Sequence, residues 1–514
     1  MGSNLGFMPL HQFWSSYPAL FYGLSFFLGV CASFQFSWVI LFIIVLLWLP
    51  RLSFFPVMAM SAPLLAFLLF LTAFFYASWI TQHPKLPEEG LEGNALMNIS
   101  GLNHKNSSLG KSWNYTGKIT HFVPQNPKLA NLKNIPALVS LPDHPSLQRP
   151  SADCSYLIKG KLKKAKNETY VFFPDKKQPW HPLFDAWNLA EWRFKAKQAV
   201  NHYIQLKIQT EPSSSFLAGI ATGDFENRLL AFEFSRFGLQ HIMAISGFHF
   251  SIVAGILNFF LSLVVGRKIG LMVLMIFMTL YFLFLGNSPS IIRAWISCMI
   301  AFSAFLWEKS PSGLNSLGIG LLTVLIIDPE MARHIGFQFS FVVTGAILLF
   351  FAPVDFCLLT IFPKKKLSTV IDMNTTDQHG FIILVLFRQA LALTLAVNFA
   401  ALPITLYYFE KFPLMSIIYN FFFPWMVSIS MLLLIGGLAF DLWLPSLGNF
   451  FHRLNESFSQ FVLDYTYTLP RNLDLNLNLV ISSEIVVIFL GLYFIAGIYL
   501  RYYLKNNDNF LEYT

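Results

Sequence analysis

From Ile269 to Asn287 the chain carries no charged residue. An α-helix of that length rises far enough to cross the hydrocarbon layer of a bilayer. Other runs share this property, at roughly 17–34, 36–49 and 54–80 near the start. Later ones lie at 239–265, 290–307, 313–328, 336–352, 381–408, 413–440 and 479–501. Composition agrees with them: 55% of residues are hydrophobic, 12% are charged, and mean hydropathy is +0.56. These values lie outside the range of soluble globular domains. The expected class is a polytopic α-helical membrane protein with about 11 spans. Residues 447–470 mix rings with charges and read as an amphipathic helix at the membrane surface.

The net charge of +8 is concentrated. Residues 81–210 hold 18 Lys and Arg against 9 Asp and Glu, a net +9, which leaves −1 for the rest of the chain. Lys and Arg in short loops favour the cytoplasm, whereas large domains translocate largely regardless of charge. Arg51, Arg267–Lys268, Lys309, Lys364–Lys366, Arg501 and Lys505 are therefore expected inside, with residues 81–210 outside. The first 16 residues contain no Lys or Arg, so the first apolar run is expected to remain as a transmembrane helix.

Four segments follow: N-terminal transmembrane helices over 1–80, a basic β domain over 81–180, amphipathic or linking helices over 181–238, and a second transmembrane domain over 239–514. SWNYTGKITHFV, IPALVSLP, CSYLIKGKLKKA and ETYVFFP read as short strands separated by turns, so the β domain is predicted to be a small antiparallel, OB-like barrel or a sandwich. Leu183, Trp187, Leu189, Trp192, Ala196, Val200 and Tyr203 recur at helical spacing. They predict a helix that either lies on the membrane surface or belongs to the domain. Lys159, Lys161, Lys163, Lys164 and Lys166 form the densest basic cluster, suited to DNA phosphates, to anionic lipid, or simply to water. Tyr156, Tyr170, Phe172 and Phe173 beside it suit either base stacking or the barrel core. The four cysteines, Cys31, Cys154, Cys298 and Cys357, suggest neither a disulfide scaffold nor a zinc site. No cofactor, metal or catalytic residue is assigned.

Polar residues inside apolar runs are costly unless they face protein or water. In HIMAISGFHF (241–250), one continuous helix would put His249 about 80° around from His241, and Ser246 about 60° beyond that. All three would share a face, with Gly247 allowing a close approach or a break. An interhelical hydrogen-bond cluster and a pathway lining are both open on this stretch. SPSIIRAW places Arg293 one turn into a span, either snorkelling to the surface or facing a pore. ATGDFENR places Asp224 at a helix end. IIDPEMARHIGFQFSF brings an Asp328–Pro329 break followed by Gln338 and Ser340. Asn398 with Pro403, and Asn420 with Pro424, add further polar and helix-breaking residues. Polar groups and breaks in many spans suggest a lined pathway.

The set AGIATGD (218–224), FGLQHIMAISGFHF (237–250), SPSIIRA (288–294), IIDPEMARHIGFQFSF (326–341) and ALPITLYYFEKFPLMSIIYNFFFP (401–424) resembles, in order and spacing, the competence domain of the ComEC family of bacterial inner-membrane DNA-uptake channels. The resemblance carries that family's motif positions onto Asp224, His241, Ser246, Gly247, His249, Arg293 and Asp328, with Gln338 and Ser340 beside them. It implies a channel rather than an enzyme, with single-stranded DNA as cargo and membrane lipids as surroundings. It also implies a separate extracytoplasmic DNA receptor, a separate nuclease and a cytoplasmic ATPase or helicase; a homo-oligomer is left open. Many members carry a C-terminal metallo-β-lactamase-like domain. None of the 12 histidines here forms an HxHxDH set, so this chain is not expected to supply that hydrolase. GxxxxGK[ST] is absent too, which assigns pulling force to another protein. The alternatives are a transporter or flippase for another anionic substrate, such as a lipid-linked glycan, and a membrane enzyme using His241, His249 and Asp224.

Overall fold

The computed structural model describes residues 8–35, 37–52, 61–81, 86–87, 89–107, 110–126, 131–143, 149–165, 170–175, 178–183, 188–225, 227–243, 247–468 and 475–505. The chain opens with α1 (Met8–Ser16) and α2 (Pro18–Phe34), joined at Tyr17 by a 97° bend ahead of Pro18. Next come α3 (Trp38–Leu52) and α4 (Ser61–Ile80). α2 and α4 pack tightly: a Cβ on Gly29 would sit 2.3 Å from Phe70 O.

Six strands follow: β1 (Leu91–Ser107), β2 (Gly110–Pro124), β3 (Leu132–Pro142), β4 (Ser155–Lys164), β5 (Tyr170–Pro174) and β6 (His181–Leu183). β1 pairs with both β2 and β4, β2 with β3, and β5 with β4, all antiparallel; β3 and β5 pair in parallel. The first five strands therefore close a ring in the order β1-β2-β3-β5-β4. Met97, Ile99, Tyr115, Ile119, Phe122 and Phe172 fill its interior. Gly93 and Gly160 face each other across β1 and β4. A Cβ there would stand 2.3 Å from Val123 O or 2.2 Å from Phe173 O, so only glycine lets these strands approach so closely.

The helical remainder begins with α5 (Ala190–Lys207), α6 (Glu211–Thr222), α7 (Arg228–Arg236) and α8 (Gln240–Met243). It continues with α9 (Gly247–Val265), α10 (Arg267–Leu285), α11 (Pro289–Leu306), α12 (Gly313–Ile327), α13 (Ile335–Leu358), α14 (Leu367–Ile371) and α15 (Thr375–Phe409). After the short β7 (Lys411–Pro413) come α16 (Ser416–Asp441), α17 (Pro445–Thr468), β8 (Asn476–Asn478) and α18 (Ser483–Lys505). Eight of the described helices are long and apolar enough to cross a membrane: α4, α9, α10, α11, α13, α15, α16 and α18. The bent α1–α2 pair raises the number to nine. The protein is thus a polytopic helical membrane protein. The difference from eleven falls partly on α12, which has only 15 residues, and on 17–34, which counts only through the bent pair.

Side-chain contacts define the two ends of the bundle. At the first end, Ser290 Oγ donates to Gly336 O (3.4 Å) and Tyr408 OH donates to Gln338 Oε1 (3.0 Å). Asp328, just past α12, meets Lys118 of β2 there. At the second end, Lys268 pairs with Glu308 between α10 and α11 (3.1 Å).

α17, expected on the membrane surface, runs along this bundle, and so does α5, expected either on that surface or in the β domain. α17 lies antiparallel to α16: Phe451 stacks on Phe440 with centroids 5.2 Å apart, His452 packs over Gly437, and Asn455 Nδ2 donates to Ser430 O (3.0 Å). The chain then returns to β8, which pairs with β7 beside the start of α16. Mean hydropathy concealed this path because the inward face carries buried His452, Asn455, Ser459 and Thr466, while Phe450, Leu454, Phe461 and Tyr465 point outward. α5 starts against the strand ring and ends at Asp441, at the far end of α16.

Candidate pathway-lining site

Within 241–250, α8 carries His241 and α9 carries His249, while residues 244–246, Ser246 among them, lie outside the described residues. His241 is exposed, its Nδ1 3.2 Å from Gly238 O, whereas His249 points inward at 1% exposure.

Arg293 occupies the centre of the motif region. It follows Pro289 by one turn in α11, where Pro supplies a preset φ and lacks an N–H that the first turn could not use. Its Nε donates to Ser340 Oγ of α13 (2.7 Å). A Cβ on Gly247 would stand 2.5 Å from its Nη2, and one on Gly320 would stand 3.7 Å from its Cγ. α9 and α13 thus meet the guanidinium, and α12 lies against the stem of the side chain. Among the described residues no carboxylate pairs with it. The side chain turns toward a hydroxyl of α13 and a glycine of α9 and stays partly exposed.

The neighbouring motif residues shape the first end of the bundle. Asp328 Oδ1 accepts from Glu330 N (3.1 Å), which starts a 3-10 turn over Pro329–Arg333, while its Oδ2 meets Lys118 (3.3 Å). Burial and the adjacent Asp328 push Glu330 up to about 7 against the pull of Lys118 and Arg333. Gln338 bridges Ala332 O (3.1 Å) and the Tyr408 hydroxyl. Asp224 lies apart from Arg293 in the chain's contacts, paired with Lys197 of α5 (3.2 Å). Gly223 reaches φ +79° to end α6 beside it, a conformation that favours glycine.

The basic strand carries Lys159, Lys161, Lys163 and Lys164; Lys166 lies outside the described residues. Lys159 and Lys161 line a 290 Å³ cleft that also contains Glu92, Asp175 and Phe173. Lys161 pairs weakly with Glu92 at 3.5 Å. Tyr156, Tyr170 and Phe172 are core, whereas Phe173 is 53% exposed at the cleft.

Two polar groupings had no sequence expectation. Arg388 of α15 and Asp355 of α13 form a buried pair, Nε to Oδ1 at 2.7 Å, and Arg388 Nη1 also donates to Phe362 O (3.2 Å). Intramembrane position was the available signal, but their spacing of 33 residues gave no way to pair them. At the second end, the Asp441 carboxylate accepts from the Tyr203 hydroxyl and meets Lys207 Nζ (2.8 Å) and His452 Nε2 (3.3 Å). Among the described residues, no group of three or more His, Cys, Asp and Glu could hold a metal ion.

The family model described as Competence protein matches residues 228–505, more than half of the chain. The chain belongs to the Competence family. The resemblance to ComEC proteins therefore stands, and the matched region contains Arg293, His249, Asp328 and the buried Arg388–Asp355 pair. ComE operon protein 3 of Bacillus subtilis (strain 168) is 23% identical over 287 residues, which is 55% of this chain and 33% of that protein. The match thus spans about a third of the length of this curated relative. No solved structure matches this Competence-family chain.

Proposed function

We propose that this protein carries single-stranded DNA across the bacterial inner membrane during natural transformation, with residues 81–210 outside the cytoplasm. Family membership supports a role in competence. The observation that carries the channel reading is Arg293, a cation among apolar helices whose guanidinium meets a hydroxyl and a glycine, with no acid beside it among the described residues. A cation placed there without a counter-charge is poised for a passing anion, and DNA presents one at every phosphate.

The strand ring supports an OB-like reading of residues 81–180: its order and its single parallel pair are those of such barrels. OB-like barrels often bind single strands through a basic groove with a stacking ring. Lys159, Lys161 and exposed Phe173 supply those features, and Glu92 and Asp175 in the same cleft weaken them. We further propose that the receptor, the nuclease and the motor are separate proteins.

The test is uptake of labelled DNA by cells carrying Arg293→Ala, with membrane insertion checked in parallel. Loss of uptake with normal insertion is expected. Uptake at the wild-type level overturns Arg293 as lining.

A further inference from the structure

Helix α5 is polar, yet it traverses the helical bundle. Near its start, Arg193 donates from Nε to Leu283 O (2.9 Å) at the end of α10 and lies against Gly286; its Nη1 reaches Ser100 O of the strand ring. That is the first end of the bundle. Its last residue, Lys207, pairs with Asp441, the last residue of α16, at the second end. From Arg193 to Lys207 the helix rises about 21 Å, most of the hydrocarbon thickness.

One face of α5 packs inward through Phe194 and Ile204. The opposite face is open. Lys195, Gln198, His202 and Gln205 are exposed along it, flanked by Trp192 and Leu206. At 100° per residue all six lie within about 140° of arc, so they form one continuous stripe. Amides, an imidazole and an ammonium cannot face lipid tails at this depth without a large cost. Toward the second end the stripe runs into a 530 Å³ cleft whose lining includes Gln205, Gln209, Ser214 and Asn227, also polar. Along the helix Lys195 pairs with Glu191, Lys197 with Asp224 and Lys207 with Asp441, while Arg193 meets backbone carbonyls.

We propose that the open face of α5 lines a water-filled groove through the membrane, which takes the phosphate backbone of a single-stranded polyanion. The groove itself rests on geometry, and only its occupant rests on the DNA reading. α5 is then a wall of the path, and the Arg293 cradle lies in the same bundle near the end where the path begins.

The test uses the full chain with Cys31, Cys154, Cys298 and Cys357 replaced by serine, and single cysteines placed at Gln198, His202 and Gln205. Controls are Ile204→Cys, on the inward face, and Ile383→Cys, exposed on α15. Each variant is reconstituted into vesicles and treated with a membrane-impermeant quaternary-ammonium thiosulfonate. Only a hydrated thiol ionises and reacts, so the three groove positions are expected to label at least about 100-fold faster than both controls. Labelling of Q198C and H202C as slow as that of I383C overturns the groove, whether lipid or a second copy of the chain covers that face. A bulky adduct on H202C is expected to block DNA uptake. Fast labelling with unchanged uptake leaves the groove standing and overturns DNA as its occupant.

Discussion

Arg293 and Arg388 both lie inside the helical bundle, but they are held in different ways. Arg388 is 3% exposed and meets both oxygens of fully buried Asp355, with Phe362 O as a third acceptor. Among the described residues Arg293 has one hydrogen-bond partner, the neutral hydroxyl of Ser340, and it rests against Gly247. A charge removed from water needs compensation. At Arg388 the fold supplies it permanently. At Arg293 the fold supplies space and a single acceptor, so the rest has to come from water or from an anion that passes. The first arrangement ties α13 to α15; the second leaves a cation available.

The largest separation between the two sites is expected on removing a partner. Asp355→Ala leaves Arg388 buried without its counter-charge, which costs about 3–5 kcal/mol. The expected outcome is little folded protein after detergent extraction, read by size exclusion. Arg293→Ala removes a cation with no acid partner and should leave that yield near wild type. If both variants fold equally well, the contrast between the sites is wrong.

A smaller effect is expected from Gly247→Ala. The added methyl would sit 2.5 Å from Arg293 Nη2 and must displace the guanidinium. DNA uptake should fall about tenfold while folding changes by no more than about 1 kcal/mol. Ser340→Ala sharpens the same point: it removes the one hydrogen bond and should cost about 1–2 kcal/mol of stability in a thermal melt, because a charged donor is involved.

The smallest expected effect concerns pH at the seat of the strand ring. Glu330 is raised from 4.5 to about 7, so the folded state holds this proton more tightly than the unfolded chain. Its stabilising contribution is fully present below 4.5 and fades as pH rises through about 7. Glu330→Gln should flatten that part of the curve of melting temperature against pH. An unchanged slope would show that another group titrates there.

Much of this was legible in the sequence, and what was hidden has physical causes. Apolar runs marked α4, α9, α10, α11, α13, α15, α16 and α18, since length and uniform hydropathy suffice for helices that face lipid. β2, β3, β4 and β5 lie where alternating β-branched and aromatic residues place them. β1 escaped notice because LEGNALMNISGLNHKNS is rich in Asn and Gly, and its extended form comes from pairing on both sides, with β2 and β4. α17 was not legible as part of the bundle because average polarity says nothing about which way a polar face turns. In α17 it turns inward, to Ser430 and Gly437; in α5 it turns outward. The Arg293 motif could be found from spacing, but its lack of a carboxylate could not, because that depends on which helices surround it.

Glu456 gives this architecture a schedule. Its Oε1 accepts from the backbone N–H groups of Gln209 and Thr210 and from the Thr210 hydroxyl, closing the turn between α5 and α6 across a separation of 246 residues. Chains are synthesised from the N-terminus. The ribosome therefore finishes α5 long before the carboxylate that completes its far end exists. Until α17 has been inserted, the bend between α5 and α6 lacks its carboxylate acceptor and leaves these donors to water.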